Sequence, residues 1–330
     1  MIEIFLTIFF ITVLLFFLGS GIWVAVSMIG VSAIGMMLFT SRPVGDAMAT
    51  TIWGTSSSWT LTALPLFVWM GEILFRTKLS ENLFKGLSPW MQKLPGGLIH
   101  VNVVGCALFA AISGSSAATV ATVGKMSIPE LRKRNYPEKI LLGSLAGSGT
   151  LGLLIPPSII LIIYGVAVQE SIAKLFIAGI IPGIMIALIF MSYVVIWSLI
   201  NKKDMPKIIE EFSFLEKIKR SRQLLPVILL ILGVIGSIYT GIATATEAAS
   251  LGVVGALILS YFQKSLTLDT FKSSLLGATK TSCMIAFILA GSTFLSLAMG
   301  FTGLPRNLAI WIQNMDLSPY VLIFVLMIFY

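Results

Sequence analysis

The 330-residue chain is 57% hydrophobic and only 11% charged, and its mean hydropathy is +0.99. Soluble domains have about a quarter charged residues, so this composition excludes a cytosolic enzyme and a disordered protein. The net charge of +8 would suggest nucleic acid as a partner of a soluble chain, but in a membrane protein it bears on orientation. We therefore expect an all-α polytopic membrane protein whose partner is the lipid bilayer, with no nucleic-acid partner.

Apolar runs of about 20 residues are long enough to cross a bilayer core of about 30 Å, and these runs predict the membrane spans. A last apolar run, 319–330, continues to Tyr330 with no stop signal, which predicts a chain cut within a span. The complete spans are expected near 3–19, 21–40, 60–75, 140–168, 172–200, 224–241, 246–262 and 281–301.

Lysine and arginine predict the orientation, because cytoplasmic loops carry an excess of them. All 22 basic residues except Arg42, Lys174 and Arg306 lie in four segments, which we assign to the cytoplasm. The N-terminus has an acidic Glu3 and no basic residue, so it is predicted to be periplasmic in a bacterial inner (plasma) membrane. The four cytoplasmic segments are 76–93, 125–139, the linker 201–223 and the loop 264–280.

The apolar segment 97–127 has a polar centre, Ser113-Gly-Ser-Ser-Ala-Ala-Thr119. A single crossing would place its two flanking basic loops on opposite faces, whereas a re-entrant hairpin returns both to the cytoplasm. The sequence therefore predicts a hairpin with its tip at 113–116 and a return arm ending near Ser127. Hydroxyl and carbonyl oxygens at such a tip suit sodium, although small residues are equally typical of helix packing faces.

The predicted span 140–168 contains Gly147-Ser-Gly-Thr-Leu-Gly-Leu-Leu-Ile-Pro-Pro-Ser158. Its adjacent prolines remove two hydrogen-bond donors, and three glycines weaken the preceding turn. This pattern predicts two half-helices, with a proline kink as the alternative. The end of the first half-helix would offer carbonyls to a cation, and the start of the second, near Ser158, would offer N–H groups to an anion.

These two polar features contain all of the candidate site residues except Arg306, and they predict sodium as the coupling ion with no organic cofactor. No metal-ligand spacing and no nucleophile–base pair stands out, so we do not expect an enzyme. The candidate sodium ligands are Ser113, Ser115, Ser116, Thr119, Gly149 and Thr150, and the candidate substrate-binding residues are Ser116, Pro157, Ser158 and Arg306.

The order of these elements predicts an inverted repeat. Residues 60–200 form a first repeat of span, basic loop, hairpin, broken span and span. Under the predicted orientation the span 60–75 runs inward and the span 281–301 runs outward, so 281–330 would begin a second, inverted and incomplete repeat. Residues 1–59 are assigned to N-terminal scaffold helices, and 224–280 to scaffold spans with a basic loop.

Three motifs together resemble the large membrane (M) subunit of TRAP (tripartite ATP-independent periplasmic) transporters, the DctM family, over essentially the whole chain. Ala245 stands where the family has proline. The motifs are Phe109-Ala-Ala-Ile-Ser-Gly-Ser-Ser-Ala-Ala-Thr-Val-Ala-Thr-Val-Gly124, Gly152-Leu-Leu-Ile-Pro-Pro-Ser158 and Gly241-Ile-Ala-Thr-Ala-Thr-Glu-Ala-Ala249.

The resemblance implies an inverted-repeat, elevator-type ion transporter fold and sodium-driven import of an organic acid. It also implies two partners: a small Q-type membrane subunit, separate or fused, and a periplasmic P-type binding protein. Gly300-Phe-Thr-Gly-Leu-Pro-Arg306 resembles the sialic-acid branch, with C4-dicarboxylates as the alternative substrates. Three other functions remain open: a divalent-anion/sodium symporter that needs no binding protein, a membrane enzyme acting on lipids, and a structural subunit.

Overall fold

The computed structural model describes residues 2–76, 79–206, 212–222 and 224–329, and within these ranges the chain is helical and has no strand. Lys78, Lys207 and Tyr330, which entered the orientation and span predictions, lie outside the described residues. The helices are α1 (Ile2–Gly19), α2 (Val24–Phe39), α3 (Val44–Ser56), α4 (Ala63–Phe75), α5 (Leu79–Met91), α6 (Ile99–Ser113), α7 (Ser116–Lys133), α8 (Glu138–Gly149), α9 (Ile159–Val168), α10 (Ile172–Ile200), α11 (Phe214–Ser221), α12 (Leu225–Tyr239), α13 (Ala245–Phe262), α14 (Leu268–Phe301), α15 (Leu304–Gln313) and α16 (Pro319–Phe329).

Among the described residues, three helices are long and apolar enough to cross a membrane: α10, α13 and α14. The number rises to five if each of two bent helix pairs counts as one span. Further apolar helices of 10–17 residues include parts of α1 and α16 together with α2, α6 and α9. The all-α polytopic class is confirmed, while several predicted full-length spans are shorter helices.

The predicted span 281–301 lies within α14, but the prediction that Lys272 and Lys280 lie in a loop is wrong, because α14 begins at Leu268 and includes both. Thr267 and Thr270 form reciprocal bonds at its start: the Thr267 N–H donates to the Thr270 hydroxyl at 2.7 Å, and the Thr270 N–H donates to the Thr267 hydroxyl at 3.1 Å. This capping arrangement begins the helix within the segment that the basic residues alone suggested was a loop.

The chain divides into two compact units, one of Met1–Ser58 with Cys283–Tyr330 and the other of Trp59–Ser282. In the first unit, Met36, Phe294 and Ala298 form a buried cluster, and the Thr55 and Thr293 hydroxyls lie 3.1 Å apart. The second unit contains the hairpin and the broken span. The predicted assignment of segments to repeats and scaffold stays a prediction.

In the second unit, helix α4 packs along α13 and against the hairpin. A β-carbon at Gly252 of α13 would lie 2.5 Å from the Met70 sulfur, and one at Gly71 of α4 would lie 2.9 Å from the Ser113 Cα. Small residues at these positions let the backbones approach closely, as is typical of helix packing in membranes. Helix α4 thereby supports the hairpin at its tip.

Candidate functional site

The hairpin consists of α6 and α7, joined at Gly114 and Ser115. Gly114 adopts the left-handed conformation (φ 58°, ψ 8°) that ends α6, and the Ser115 hydroxyl caps α7 by accepting the Ala118 N–H at 3.4 Å. Gly105 of α6 faces Val123 of α7, so the two arms fold back on each other. The tip lies where the sequence predicted it, but the return arm continues to Lys133 instead of ending near Ser127.

Hydroxyl groups converge at the tip. The Ser113 and Thr119 hydroxyls lie 3.0 Å apart, and both side chains are buried. The Ser113 hydroxyl also accepts the Ser115 N–H at 3.4 Å. The Ser116 hydroxyl is buried and has no hydrogen-bond partner among the described residues. Because buried polar groups are nearly always hydrogen-bonded, this oxygen at the junction is a candidate for binding a ligand.

The broken span consists of α8 and α9, separated by the 3₁₀ turn Thr150–Leu153 and the two prolines. The Ile155 N–H donates to the Leu151 carbonyl at 2.9 Å, and α9 begins only at Ile159. Ser158 is buried at the start of α9. Its hydroxyl donates to the Leu153 carbonyl at 2.7 Å and accepts the Leu161 N–H at 3.4 Å. The sequence thus predicted the break correctly.

The hairpin tip and the broken span meet through backbone contacts. The Ile159 N–H donates to the Gly114 carbonyl at 3.2 Å, which ties the tip to the start of α9. A β-carbon at Gly114 would lie 2.5 Å from the Pro157 carbonyl oxygen. On the other side, a β-carbon at Gly152 would lie 2.9 Å from the Ser116 nitrogen. The two predicted polar features therefore form one site.

Most of the predicted site residues come together at this junction, namely Ser113, Ser115, Ser116, Thr119, Gly149, Pro157 and Ser158. Thr150 is near in sequence, but its side chain is exposed and its hydroxyl donates to the Gly147 carbonyl at 2.7 Å. Arg306 is exposed near the start of α15 and belongs to the other unit. Sequence reasoning missed Gly71, although a glycine inside an apolar span is a signal of close packing.

The chemistry of the site follows from its oxygen atoms. No group of three or more His, Cys, Asp or Glu side chains that could hold a metal occurs among the described residues. A cation here would therefore be bound by serine and threonine hydroxyls and by backbone carbonyls. Oxygen ligands of this kind suit hard cations.

A second buried polar group lies along α6 and α8, away from the tip. The Asn102 side-chain amide donates to the Ser144 hydroxyl at 3.0 Å and to the Leu141 carbonyl at 3.3 Å. The Ser148 hydroxyl donates to the Ser144 carbonyl at 2.6 Å and approaches the Asn102 carbonyl at 3.4 Å. These bonds hold the first arm of the hairpin against the first half of the broken span.

We expect Asn102→Ala to lower the free energy of unfolding by about 1–3 kcal/mol, because it leaves buried acceptors without their donor. The measurement is the thermal unfolding midpoint of the purified protein in detergent. Asn201→Ala is the matched control, since among the described residues the Asn201 amide donates to the Trp197 carbonyl of the adjoining helix α10, at 2.9 Å. Equal destabilisation by both substitutions would show that Asn102 does not link the two elements.

A polar hairpin tip packed on a broken membrane helix is an arrangement by which secondary transporters bind their ligands, so fold and site together define a membrane transporter. Residues 10–330 match the family model described as "Tripartite ATP-independent periplasmic transporter, DctM component". The chain therefore belongs to the DctM family of TRAP transporter large permeases, which confirms the resemblance noted in its motifs.

Several relatives support this assignment. The chain is 34% identical to the C4-dicarboxylate TRAP transporter large permease DctM of Pseudomonas aeruginosa, over 89% of this chain and 68% of the relative. It is 32% identical to the sialic acid TRAP transporter large permease SiaM of Vibrio cholerae, over 93% of this chain and 71% of that relative. It is 30% identical to the isethionate TRAP transporter permease DctMQ of Oleidesulfovibrio alaskensis, over 89% of this chain and 46% of that relative.

Proposed function

We propose that this chain is the large permease subunit of a TRAP transporter that imports an organic acid anion with sodium as the coupling ion. The family supports transport, and the relatives named above support the substrate class, since they are named for C4-dicarboxylate, sialic acid and isethionate. All of these are organic anions. Sialic acid and C4-dicarboxylates are the two substrates that we propose first.

The observation that carries the sodium proposal is the buried hydroxyl of Ser116 at the junction of hairpin and broken span, which has no hydrogen-bond partner among the residues that the structure describes. A cation bound there would have the Ser113, Ser115 and Thr119 hydroxyls and the Gly149 carbonyl in the same region. Thr150 would contribute its backbone carbonyl, since its hydroxyl is engaged with Gly147. Sodium would also offset the charge of an anionic substrate bound beside it.

We place the substrate carboxylate between Ser116 and the N-terminal end of α9, beside Pro157. The positive end of the helix dipole favours an anion at that position. The Ser158 hydroxyl already makes two hydrogen bonds within the chain, so we assign it to holding the break open rather than to direct contact with substrate. The proposal includes no contact between this site and Arg306.

The proposed mechanism is elevator-type alternating access, in which hairpin and broken span move together. The Asn102 bonds, the Gly114–Ile159 bond and the Gly152 contact support this motion, since they join the two elements at both ends. The proposed partners are a small Q-type membrane subunit and a periplasmic P-type binding protein. The name DctMQ of one relative supports the first of them. The proposed location is the bacterial inner membrane, with the N-terminus periplasmic.

The sodium proposal is tested with Ser116→Ala in proteoliposomes that contain the chain, its small subunit and its binding protein. Removing one hydroxyl ligand from a charged group costs about 1.5–3 kcal/mol, so half-saturating sodium should rise roughly tenfold or more. Ser127→Ala is the matched control: its hydroxyl is also buried on α7 without a partner among the described residues, but it lies about 16 Å further along the helix.

Wild-type uptake with unchanged sodium dependence in Ser116→Ala would refute the sodium assignment. An equal effect of Ser127→Ala would attribute the loss to packing of α7 instead. Omitting the binding protein from the same proteoliposomes tests whether transport requires this proposed partner. Full transport without it would favour the symporter that works without a binding protein.

A further inference from the structure

One turn of α4, residues 69–72, contacts three other elements of the second unit. Met70 contacts α13, and Gly71 contacts the hairpin tip. Trp69 and Glu72, on either side of these two residues, both contact the first part of α14. Four successive residues of α4 therefore join α13, α14 and the tip, so a rotation of this turn would move the helix surface on which the tip rests.

The contact between α4 and α14 is made by an aromatic ring and a carboxylate. The Trp69 ring packs edge-on against the Phe271 ring, with centroids 5.8 Å apart, and its N–H donates to the Ser274 hydroxyl at 3.4 Å. One turn further along both helices, a β-carbon at Gly277 would lie 2.7 Å from Glu72 Oε2 and 2.9 Å from Glu72 Cδ. The carboxylate thus lies against the backbone of α14, in space that a side chain at position 277 would need.

Glu72 is a carboxylate at the depth of the transport junction, because its neighbour Gly71 lies against the hairpin tip and successive helical residues differ by only about 1.5 Å in height. The Arg76 guanidinium donates to Glu72 Oε2 at 3.0 Å, and the Glu72 side chain is only 25% exposed. Carboxylates within membrane-spanning segments are rare and usually functional. The ion pair orients this carboxylate toward α14.

We propose that Glu72 is a positioning residue for the transport junction. Its carboxylate, oriented by Arg76 and placed against Gly277, sets the rotation of α4 and thereby the position of the hairpin tip. Successive residues of a helix point about 100° apart, so Glu72 acts through Gly71 rather than by touching an ion at the tip. The inference rests on the proposed function, in which the tip binds the coupling ion.

The test compares Glu72→Ala, Gly277→Ala and the double variant in the proteoliposome uptake assay. Glu72→Ala removes the carboxylate, and Gly277→Ala displaces it while keeping both charges of the ion pair. Each single variant should raise half-saturating sodium by roughly two- to thirtyfold, the range for residues that modulate a site without contacting its ligand. A purely structural role would instead lower the maximal rate and the amount of inserted protein, with half-saturating sodium unchanged.

The double variant shows whether the two residues act through one contact. The three atoms nearest to a β-carbon at Gly277 all belong to Glu72, so Gly277→Ala should add nothing to the effect of Glu72→Ala. Gly300→Ala is the matched control, since Gly300 also lies on α14 and a β-carbon there meets nothing within 4 Å. It should keep wild-type sodium dependence. If Glu72→Ala does not insert, Gly277→Ala alone supplies the comparison with this control.

Unchanged half-saturating sodium in the single variants would overturn the proposal, and so would additive effects in the double variant or an equal shift in Gly300→Ala. A second readout is independent of transport: amide hydrogen exchange of the tip segment 109–119 in detergent should be faster in both single variants and unchanged in Gly300→Ala. Unchanged exchange in the single variants would overturn the positioning role, whereas wild-type uptake without sodium dependence would contradict the proposed function alone.

Discussion

Gly152→Ala is expected to reduce uptake roughly fivefold or more, because overpacking a close backbone contact costs about 1–3 kcal/mol. The added β-carbon would lie 2.9 Å from the Ser116 nitrogen and 3.0 Å from the Ser115 carbonyl carbon. Both atoms belong to the backbone and cannot rotate away. The hairpin tip must therefore move off the broken span, which separates Ser116 and the other tip hydroxyls from the two proposed sodium ligands on the broken span, Gly149 and Thr150.

Gly143→Ala is the matched control for this substitution, since Gly143 lies on α8 and a β-carbon there meets nothing within 4 Å. Sodium-dependent uptake and the amount of protein inserted in the membrane are measured for both variants. We expect Gly152→Ala to insert normally and to lose uptake, while Gly143→Ala keeps both. Wild-type uptake by Gly152→Ala would show that this contact is not needed for transport.

Gly114→Ala is expected to impair both stability and transport. Its φ of +58° costs a non-glycine residue about 1–2 kcal/mol, and the contact with the Pro157 carbonyl oxygen, at 2.5 Å, adds an overpacking cost of about 1–3 kcal/mol. The substitution should also weaken the bond from the Ile159 N–H to the Gly114 carbonyl. We expect a lower unfolding midpoint and little remaining uptake.

Gly21→Ala separates the two costs, because Gly21 has φ +79° but a β-carbon there meets nothing within 4 Å. Gly21→Ala should lower the free energy of unfolding only by the conformational cost of a positive φ, without the overpacking cost. The unfolding midpoints of both variants are compared in the same detergent. If the two variants have equally lowered unfolding midpoints, the added contact between residue 114 and the Pro157 carbonyl does not contribute to the destabilisation.

The features that the sequence predicted well have local causes. The adjacent prolines of the broken span remove hydrogen-bond donors in any structural context, so the break between α8 and α9 could be predicted from the local sequence alone. The hairpin tip followed from the positions of basic residues on either side of Ser113–Ser116. Serines and glycines at both places then predicted most of the residues that meet at the junction.

The features that the sequence did not predict depend on which side of a helix faces a neighbour. Nothing in the spacing showed that the Thr150 hydroxyl bonds back to the Gly147 carbonyl of α8, while the Ser116 hydroxyl has no partner in the described part of the chain. The link from Asn102 to Ser144 joins residues far apart in the sequence, so no local pattern reveals it. The start of α14 was misplaced because Lys272 and Lys280 were assigned to a loop.

The bond from the Ile159 N–H to the Gly114 carbonyl bears on how the protein enters the membrane during synthesis. The hairpin leaves the ribosome well before Ile159 does, and until then its tip lacks the backbone partners that it has in the folded chain. Exposed irregular backbone is not tolerated in lipid. If the hairpin re-enters the bilayer as the sequence predicts, it is therefore expected to enter together with the broken span, in one late insertion step rather than two successive ones.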